Sequence, residues 1–491
     1  MFDFPASPTV GQQVTTPARV VFTWDGSKWF SNNPPPSLDV DFTTAIPAGF
    51  TFSRSSPASY VDPTTGNVVD YASGAPRFIP GKGLLLEPTA KNCHSNPRLS
   101  GAVVGTPGTL PTGWSHNGAG GVSVAVVGTG VENGMEYVDI RLSTASTAAS
   151  SWQMFMDGTT TCAIGGTATA ANGETLCCDT WYVKTVGTPN WGPLLTSTNF
   201  RLGNNPYNSS GTSITNAINT FTTVPNSVDP LTSQVFQRRS NLAAGAFYTR
   251  PCMIISNMGA GLAFDVTLRL GHIQCEVGPA LYTSPIRTPT TAPVTGGITR
   301  ASDSLVGSLG SWFNPRYISC AVSFTDARPI SAGGRSAPLC SFDDGTGNAT
   351  TYILPQNFWQ LLENSGGGWY TEAIINAVQD VQWPNDGGGI FQPGNAGAIC
   401  VSGTPGAFAR TSSNLLAQGS LGGVTLSTGF DPSKYIRIVF NEAPNMYTWY
   451  QAGTPWPTTI PANVQRFLRK FRYYPRMLSP YECHDIAVAM A

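Results

Sequence analysis

The sequence predicts an all-β chain assembled as a multidomain series of antiparallel sandwiches, and three observations carry that expectation. Turn formers are abundant, with 53 Gly and 39 Pro in 491 residues. Residues that suit pleated, half-buried surfaces are plentiful too, at 24 Phe, 16 Tyr and 12 Trp. Short apolar runs bounded by Gly, Pro, Asn and Asp recur throughout, among them "GVSVAVVG", "EYVDIRLS", "SQVFQRRS", "FDVTLRLGHIQCEVG", "YISCAVSFT", "LCSFDDG", "YIRIVFN" and "VQRFLRKFRYYP". A sheet with one apolar face must cover it, and many short strands do so by packing sheet on sheet. Helical periodicity is confined to "FWQLLENS" and "SPYECHDIAVAM".

At 491 residues the chain has room for several domains of about 100 to 200 residues. Three seams divide it: "NNPPPSLD" (32–39), "KNCHSNPRLSG" (91–101) and "TSPIRTPTTAPVTGG" (283–297), the last read as an extended linker with sparse backbone hydrogen bonding. The expected parts are an N-terminal segment over 1–37, a small β connecting unit over 38–95, a jelly-roll over 96–290 and a concanavalin-like sandwich over 291–491. In the first part, Trp24, Asp25, Gly26 and Trp29 frame a tight hairpin whose Asp-Gly turn supplies the positive backbone angle. In the last strand, Phe467, Phe471, Tyr473 and Tyr474 read as core-facing and Arg469 and Arg472 as surface-facing.

Charge narrows the functional classes. The formal net charge is -1 and only 11% of residues are charged, against about 25% in ordinary globular domains. That balance argues against nucleic acid as a partner and against an acidic membrane surface. No run reaches the roughly 20 apolar residues of a membrane span. Residues Met1 to Pro5 lack a basic then apolar pattern, so no cleavable leader is expected.

Ten cysteines lie at 93, 162, 177, 178, 252, 275, 320, 340, 400 and 483 without CxxC spacing. They read as buried thiols, with no metal and no cofactor implied. Alternation along a strand sends the neighbours Cys177 and Cys178 into different surroundings.

No catalytic constellation is visible. The four histidines fall in no metalloprotease spacing, there is no GxSxG, and the Gly-rich runs lack the Lys-Ser/Thr of a P-loop. Asp343, Asp344 and Asp386 are the carboxylates nearest to a hydrolytic pair, but "SFDDGTGN" reads better as a strand end closing in an Asx-type turn. Non-enzymatic glycan binding has the broader basis, because sugars present C–H faces to aromatic rings and hydroxyl edges to amides and carboxylates. Loops of that composition nominate Trp114, Asn117, Trp191, Trp369, Tyr370, Trp383, Asn385 and Asp386.

Four stretches carry a family resemblance: "FPASPTVGQQ" with "FTWDGSKW"; "FTFSRSSPASYVDPTTGNVVDYASGAPRF" with "GKGLLLEPTAKN"; "QCEVGPALYTSPIRTP" with "ITRASD"; and "FLRKFRYYPRMLSPYE". Together they resemble the tail-fibre and head-spike proteins of tailed bacteriophages, which carry carbohydrate-binding-module-like and concanavalin or laminin-G-like domains. The resemblance implies a virion appendage subunit attached through its N-terminal hairpin, a homo-oligomer, trimeric by analogy, and other virion proteins and a host cell-surface glycan as partners. A purely structural decoration or collar protein and a glycan depolymerase are the alternatives.

Overall fold

The computed structural model describes residues 4–15, 21–24, 26–27, 29–31, 35–117, 121–145, 150–158, 176–192, 200–214, 219–222, 225, 227–241, 245–258, 260–261, 263–277, 283–288, 293–314, 317, 319–326, 337–345, 358–363, 369–375, 378–382, 396–404, 407–412, 435–440, 466–476, 478 and 480–490. The all-β expectation holds. The chain forms two compact units, one made of Met1–Ser53, Pro76–Pro88 and Asp303–Ala491, the other of Arg54–Ala75 and Thr89–Ser302.

The first unit contains two seven-stranded antiparallel sheets. One runs Val378–Gln382, Trp369–Ile375, Phe358–Glu363, Ala337–Asp343, Arg437–Phe440, Ser304–Ser308, Phe50–Ser53. The other runs Ala407–Ser412, Ala396–Thr404, Ser319–Asp326, Arg466–Tyr474, Gly83–Leu86, Arg77–Ile79, with Leu38–Asp41 also on Arg466–Tyr474. Phe324, Phe471 and Tyr473 from the second sheet meet Phe342, Ile438 and Phe440 from the first in one buried core. Tyr474 points the other way, onto Leu478, Cys483 and Ala487 beside helix Pro480–Met490, so only part of the aromatic set on that strand faces the sandwich core.

The stretch "FWQLLENS" is a strand, Phe358–Glu363, hydrogen-bonded on both sides. Six residues are too few for a stable helix, and an apolar run this short fits either period until neighbouring strands decide. A separate sheet of Gln13–Thr15, Val21–Trp24 and Trp29–Ser31 holds the N-terminal hairpin, where Trp24 pairs with Trp29 at 5.6 Å between ring centroids and Gly26 takes φ +103°.

The second unit is a sandwich of a seven-stranded and a five-stranded sheet. The larger sheet orders Ser123–Glu132, Met135–Thr144, Phe264–Val277, Ala90–Asn92, Ile298–Arg300, with Leu176–Asn190 between Phe264–Val277 and Val235–Asn241. The smaller orders Ser115–His116, Ser150–Phe155, Tyr248–Met258, Phe200–Tyr207, Asn219–Thr222. Ile140, Trp181, Leu268 and Ile273 pack on Trp152, Met154, Leu202 and Met253 between the sheets. Pro206 and Pro251 sit inside the smaller sheet's strands, opposite Thr249 and Asn204. Prolines inside a run argue against a strand in sequence alone.

Two expectations about the seams change. Residues 38–95 form no unit of their own. Their strands Leu38–Asp41, Phe50–Ser53, Arg77–Ile79 and Gly83–Leu86 join sheets of the first unit, and Ala90–Asn92 joins the second. Only Ala58–Val61 and Val68–Tyr71 pair solely with each other. The start of the supposed linker, 283–288, is anchored by side chains. Asn92 Nδ2 donates to the carbonyls of Ile273 (3.2 Å) and Ile286 (3.3 Å). Gln274 Oε1 accepts from the Ile286 N–H (2.7 Å) and from His272 Nε2 (3.0 Å). Glu276 accepts the Thr283 N–H (3.0 Å) and hydroxyl (2.5 Å). Residues 283–288 lie in no strand, and these side chains satisfy backbone groups of Thr283 and Ile286 instead.

In the first unit, Arg77 has no exposed surface. Its Nη1 lies 2.6 Å from Glu87 Oε2, and its Nη2 pairs with Asp303 Oδ2, which also accepts the Glu87 N–H at 2.8 Å. Burial works to lower the guanidinium pKa, but the Asp303 and Glu87 carboxylates outweigh it and raise it. A buried ion cluster that loses one member leaves uncompensated charge. Arg77→Ala should therefore cost about 3–5 kcal/mol in chemical denaturation, and a loss under about 1 kcal/mol would show the cluster to be dispensable.

Burial lifts the Glu276 carboxyl from 4.5 to about 7, against the opposing Thr283 hydrogen bonds and the Arg300 charge. Burial also drops His272 from 6.5 to about 4. Between about 4.5 and 7 the folded chain holds a proton on Glu276 that the unfolded chain releases, so this group's contribution to stability falls as pH rises through that window. His272 acts oppositely between about 4 and 6.5, where only the unfolded ring is protonated, so its contribution rises with pH. Glu276→Gln removes the first effect alone. The stability of the variant relative to wild type should climb by on the order of 3 kcal/mol from pH 4.5 to 7 and then level off. A flat difference across urea melts at those pH values would refute the assignment.

Candidate functional site

Alternation along the five-stranded sheet gives it two chemically different faces. Trp152 and Met154 turn inward to the core, and Ser151, Gln153 and Phe155 turn outward. Register then sets Phe155 beside Cys252 and Gly203, Gln153 beside Ile254 and Arg201, and Arg250 beside Asn205. Ser115 lies opposite Phe155 on the neighbouring edge strand.

Arg250 organises this outer face. Its guanidinium carbon sits 4.1 Å from the centre of the Phe155 ring and 5.5 Å from that of Tyr207. Nε donates to the Asp157 carbonyl (2.7 Å), Nη1 to Tyr207 Oη (3.0 Å) and Nη2 to Ser115 Oγ (3.3 Å). Asn205 Nδ2 also donates to Tyr207 Oη (3.2 Å), while Asn205 Oδ1 accepts from Ser213 Oγ (3.1 Å). Arg250 is 7% exposed and Tyr207 5%, so both act as a rigid base. Ser115, Asn117 and Ser151 are exposed around it, and Gln153, Phe155, Arg201 and Tyr248 are half-buried. An aromatic ring with a fixed edge beside amide, hydroxyl and guanidinium groups can stack on an apolar ring face and hydrogen-bond its substituents.

The residues nominated from sequence distribute unevenly. Asn117 reaches this face, where its N–H donates to the Gln153 carbonyl (3.0 Å) and its Oδ1 accepts the Gln153 N–H (3.1 Å), so its amide extends the sheet edge. Trp114 and Trp191 are core residues at 8% and 6% exposure, and their rings fill space between the sheets rather than facing a ligand. A large ring buries more apolar area inside a sandwich than on a loop, and that decides both positions. Trp369 and Tyr370 open strand Trp369–Ile375, with side chains outside the described residues. Asp25, Trp383, Asn385 and Asp386 also lie outside the described residues.

Asp343 behaves as the turn reading requires. It ends a strand and its Oδ1 accepts the Gly345 N–H (2.8 Å) and Arg437 Nε (2.5 Å). Burial raises its pKa, with the Arg437 contact pulling the other way. The eight cysteines whose side chains are described are all buried thiols. Cys178 lies opposite Glu276 on one face of its sheet, and Cys177 contacts Cys275 Sγ on the other, at 3.4 Å. The vicinal pair thus divides between two surroundings.

Sequence reasoning missed Phe155, Gln153, Arg250 and Tyr207. The period-2 run "SWQMF" carried a usable signal for the first two. Arg250 and Tyr207 had none, because Pro251 and Pro206 adjoin them.

No known protein family matches this chain, and no curated protein does. Among solved structures, the chain is similar to the N-terminal CBM22-1-CBM22-2 tandem domain from Paenibacillus barcinonensis Xyn10C, at 11% identity over 76% of this chain and 96% of that one, with a TM-score of 0.20. A likeness at that score carries no argument about this chain.

Proposed function

We propose that the chain is a non-enzymatic subunit of a tailed-phage appendage that binds a host-surface glycan on the outer face of the five-stranded sheet. The observation that carries the glycan reading is the Phe155–Arg250–Tyr207 arrangement, with Gln153 and Ser115 at its margin. The half-exposed Phe155 ring offers a stacking surface held in place from below. Gln153 and the hydroxyl groups offer the directional contacts that distinguish one sugar edge from another. The virion assignment rests on the four sequence stretches, with the hairpin at Trp24 and Trp29 as the attachment element. Multivalency suits this role, since weak sites linked on one particle act at high local concentration.

Isothermal titration of the full chain with host surface polysaccharide tests the site. Phe155→Ala and Gln153→Ala should each weaken binding roughly tenfold, about 1.4 kcal/mol, with melting temperature unchanged. Wild-type affinity in both variants would place the site elsewhere, and release of reducing sugar by the wild type would replace binding with hydrolysis. Assembly is tested separately. The full chain should sediment as a trimer, and a chain lacking residues 1–37 should fold yet be missing from purified particles. A monodisperse monomer, or particles that still carry the shortened chain, would overturn the appendage reading.

A further inference from the structure

Inside the second sandwich, Cys177, Asp179 and Cys275 bring three metal-ligating atoms within 4.8 Å of one another. Cys177 and Asp179 are two residues apart on one strand and share a face, and Cys275 lies directly opposite Asp179 on the next. Cys177 Sγ is 3.4 Å from Cys275 Sγ and 3.5 Å from Asp179 Oδ1. From the facing sheet, Asn204 places its amide nitrogen 3.4 Å from Cys177 Sγ and against Asp179 Oδ2. The Asn204 amide oxygen is fully buried and has no hydrogen-bond partner. A half-turn of an amide exchanges its two ends, and here it brings that oxygen into the cluster.

We propose that Cys177, Cys275, Asp179 and Asn204 form a closed structural zinc site that ties the two sheets of this sandwich together. Spacing is the first argument. Around a tetrahedral ion with Zn–S near 2.3 Å and Zn–O near 2.1 Å, neighbouring ligand atoms stand about 3.5–3.8 Å apart. The separations of 3.4, 3.5 and 3.4 Å already approach that figure. Donor chemistry is the second, because two thiolates with a carboxylate select a borderline-soft ion over calcium or magnesium. The neutral Asn204 amide completes four ligands without adding charge.

A disulfide is the competing use of the two thiols, and the register disfavours it. Cys177 is diagonal to Cys275, since Asp179 occupies the opposed position. Diagonal neighbours stand about 7–8 Å apart, at or beyond the reach of a disulfide without backbone movement. All four side chains are at most 1% exposed, so the site has no open position for substrate and its role is to hold the fold. Loading exchanges the water ligands of the hydrated ion for two Zn–S and two Zn–O bonds and releases the thiol protons to solvent. Ligands from three strands also explain why no CxxC spacing announces the site.

The test is metal analysis of the full chain after refolding in zinc chloride and exhaustive dialysis. One zinc per chain is expected, with a melting temperature that falls on treatment with a chelator. Cobalt chloride in place of zinc should give the intense visible bands of a tetrahedral thiolate complex. Cys252→Ser, which alters a buried thiol on the other face of the smaller sheet, should keep the ion, and Cys275→Ser should lose it. Less than a tenth of an ion per wild-type chain with no chelator effect would overturn the proposal. So would a Cys177–Cys275 disulfide in the mass spectrum of the native protein. Because the wild-type chain gives the deciding values, a variant that fails to fold does not obscure the result.

Discussion

A guanidinium with no exposed surface cannot be left alone, and Arg77 fixes the first unit by needing both Glu87 and Asp303. The two carboxylates come from sequence positions more than two hundred residues apart, so their meeting sets where the strand Ser304–Ser308 begins relative to the hairpin of Arg77–Ile79 and Gly83–Leu86. The Glu87 N–H donates to Asp303 Oδ2 and the Asp303 N–H donates to the Glu87 carbonyl, 2.8 Å each way, which locks the same junction. At Gly83, with φ +108°, an added Cβ would strike the Leu468 carbonyl, which lets this hairpin lie close against the central strand Arg466–Tyr474. Phe471 and Tyr473 on that strand then meet the opposite sheet.

The second unit solves a related problem with two amides and a carboxyl. Its Pro-rich stretch has no ladder to join, and Asn92, Gln274 and Glu276 stand in for one. Several charged and amide side chains in the quoted stretches, Arg54, Arg77, Glu87, Asn92, Gln274 and Glu276, thus turn out to be buried and to bind backbone or one another. Arg54, for instance, donates to the carbonyls of Ser56, Ala72 and Ala75. These motifs describe how the chain is held together, whereas the candidate ligand face lies outside them.

Within the smaller sheet, the alternation of a strand separates two chemistries at adjacent positions. Asn204 turns inward to the thiols and Asp179, while Asn205 turns outward to Tyr207. The rigid base under Phe155 and the polar cluster between the sheets are opposite sides of the same strands, so the packing that orders one also orders the other.

The all-β class, the N-terminal Trp hairpin, the Asx turn at Asp343 and the C-terminal helix were legible from the sequence, because each is a local matter of period, turn chemistry or capping within a dozen residues. Even the division between Cys177 and Cys178 followed from alternation alone. Tertiary structure decided the rest. Whether Trp114 and Trp191 stack on a ligand or fill a core depends on which sheet covers them, and "FWQLLENS" became a strand because two neighbours offered ladders. Residues 38–95 divided between two units because their buried charges and amides found partners elsewhere in the chain. The Arg250 base and the Cys177–Asp179–Cys275 cluster draw on strands far apart in sequence, and their register is set by sheet packing, which no local pattern encodes.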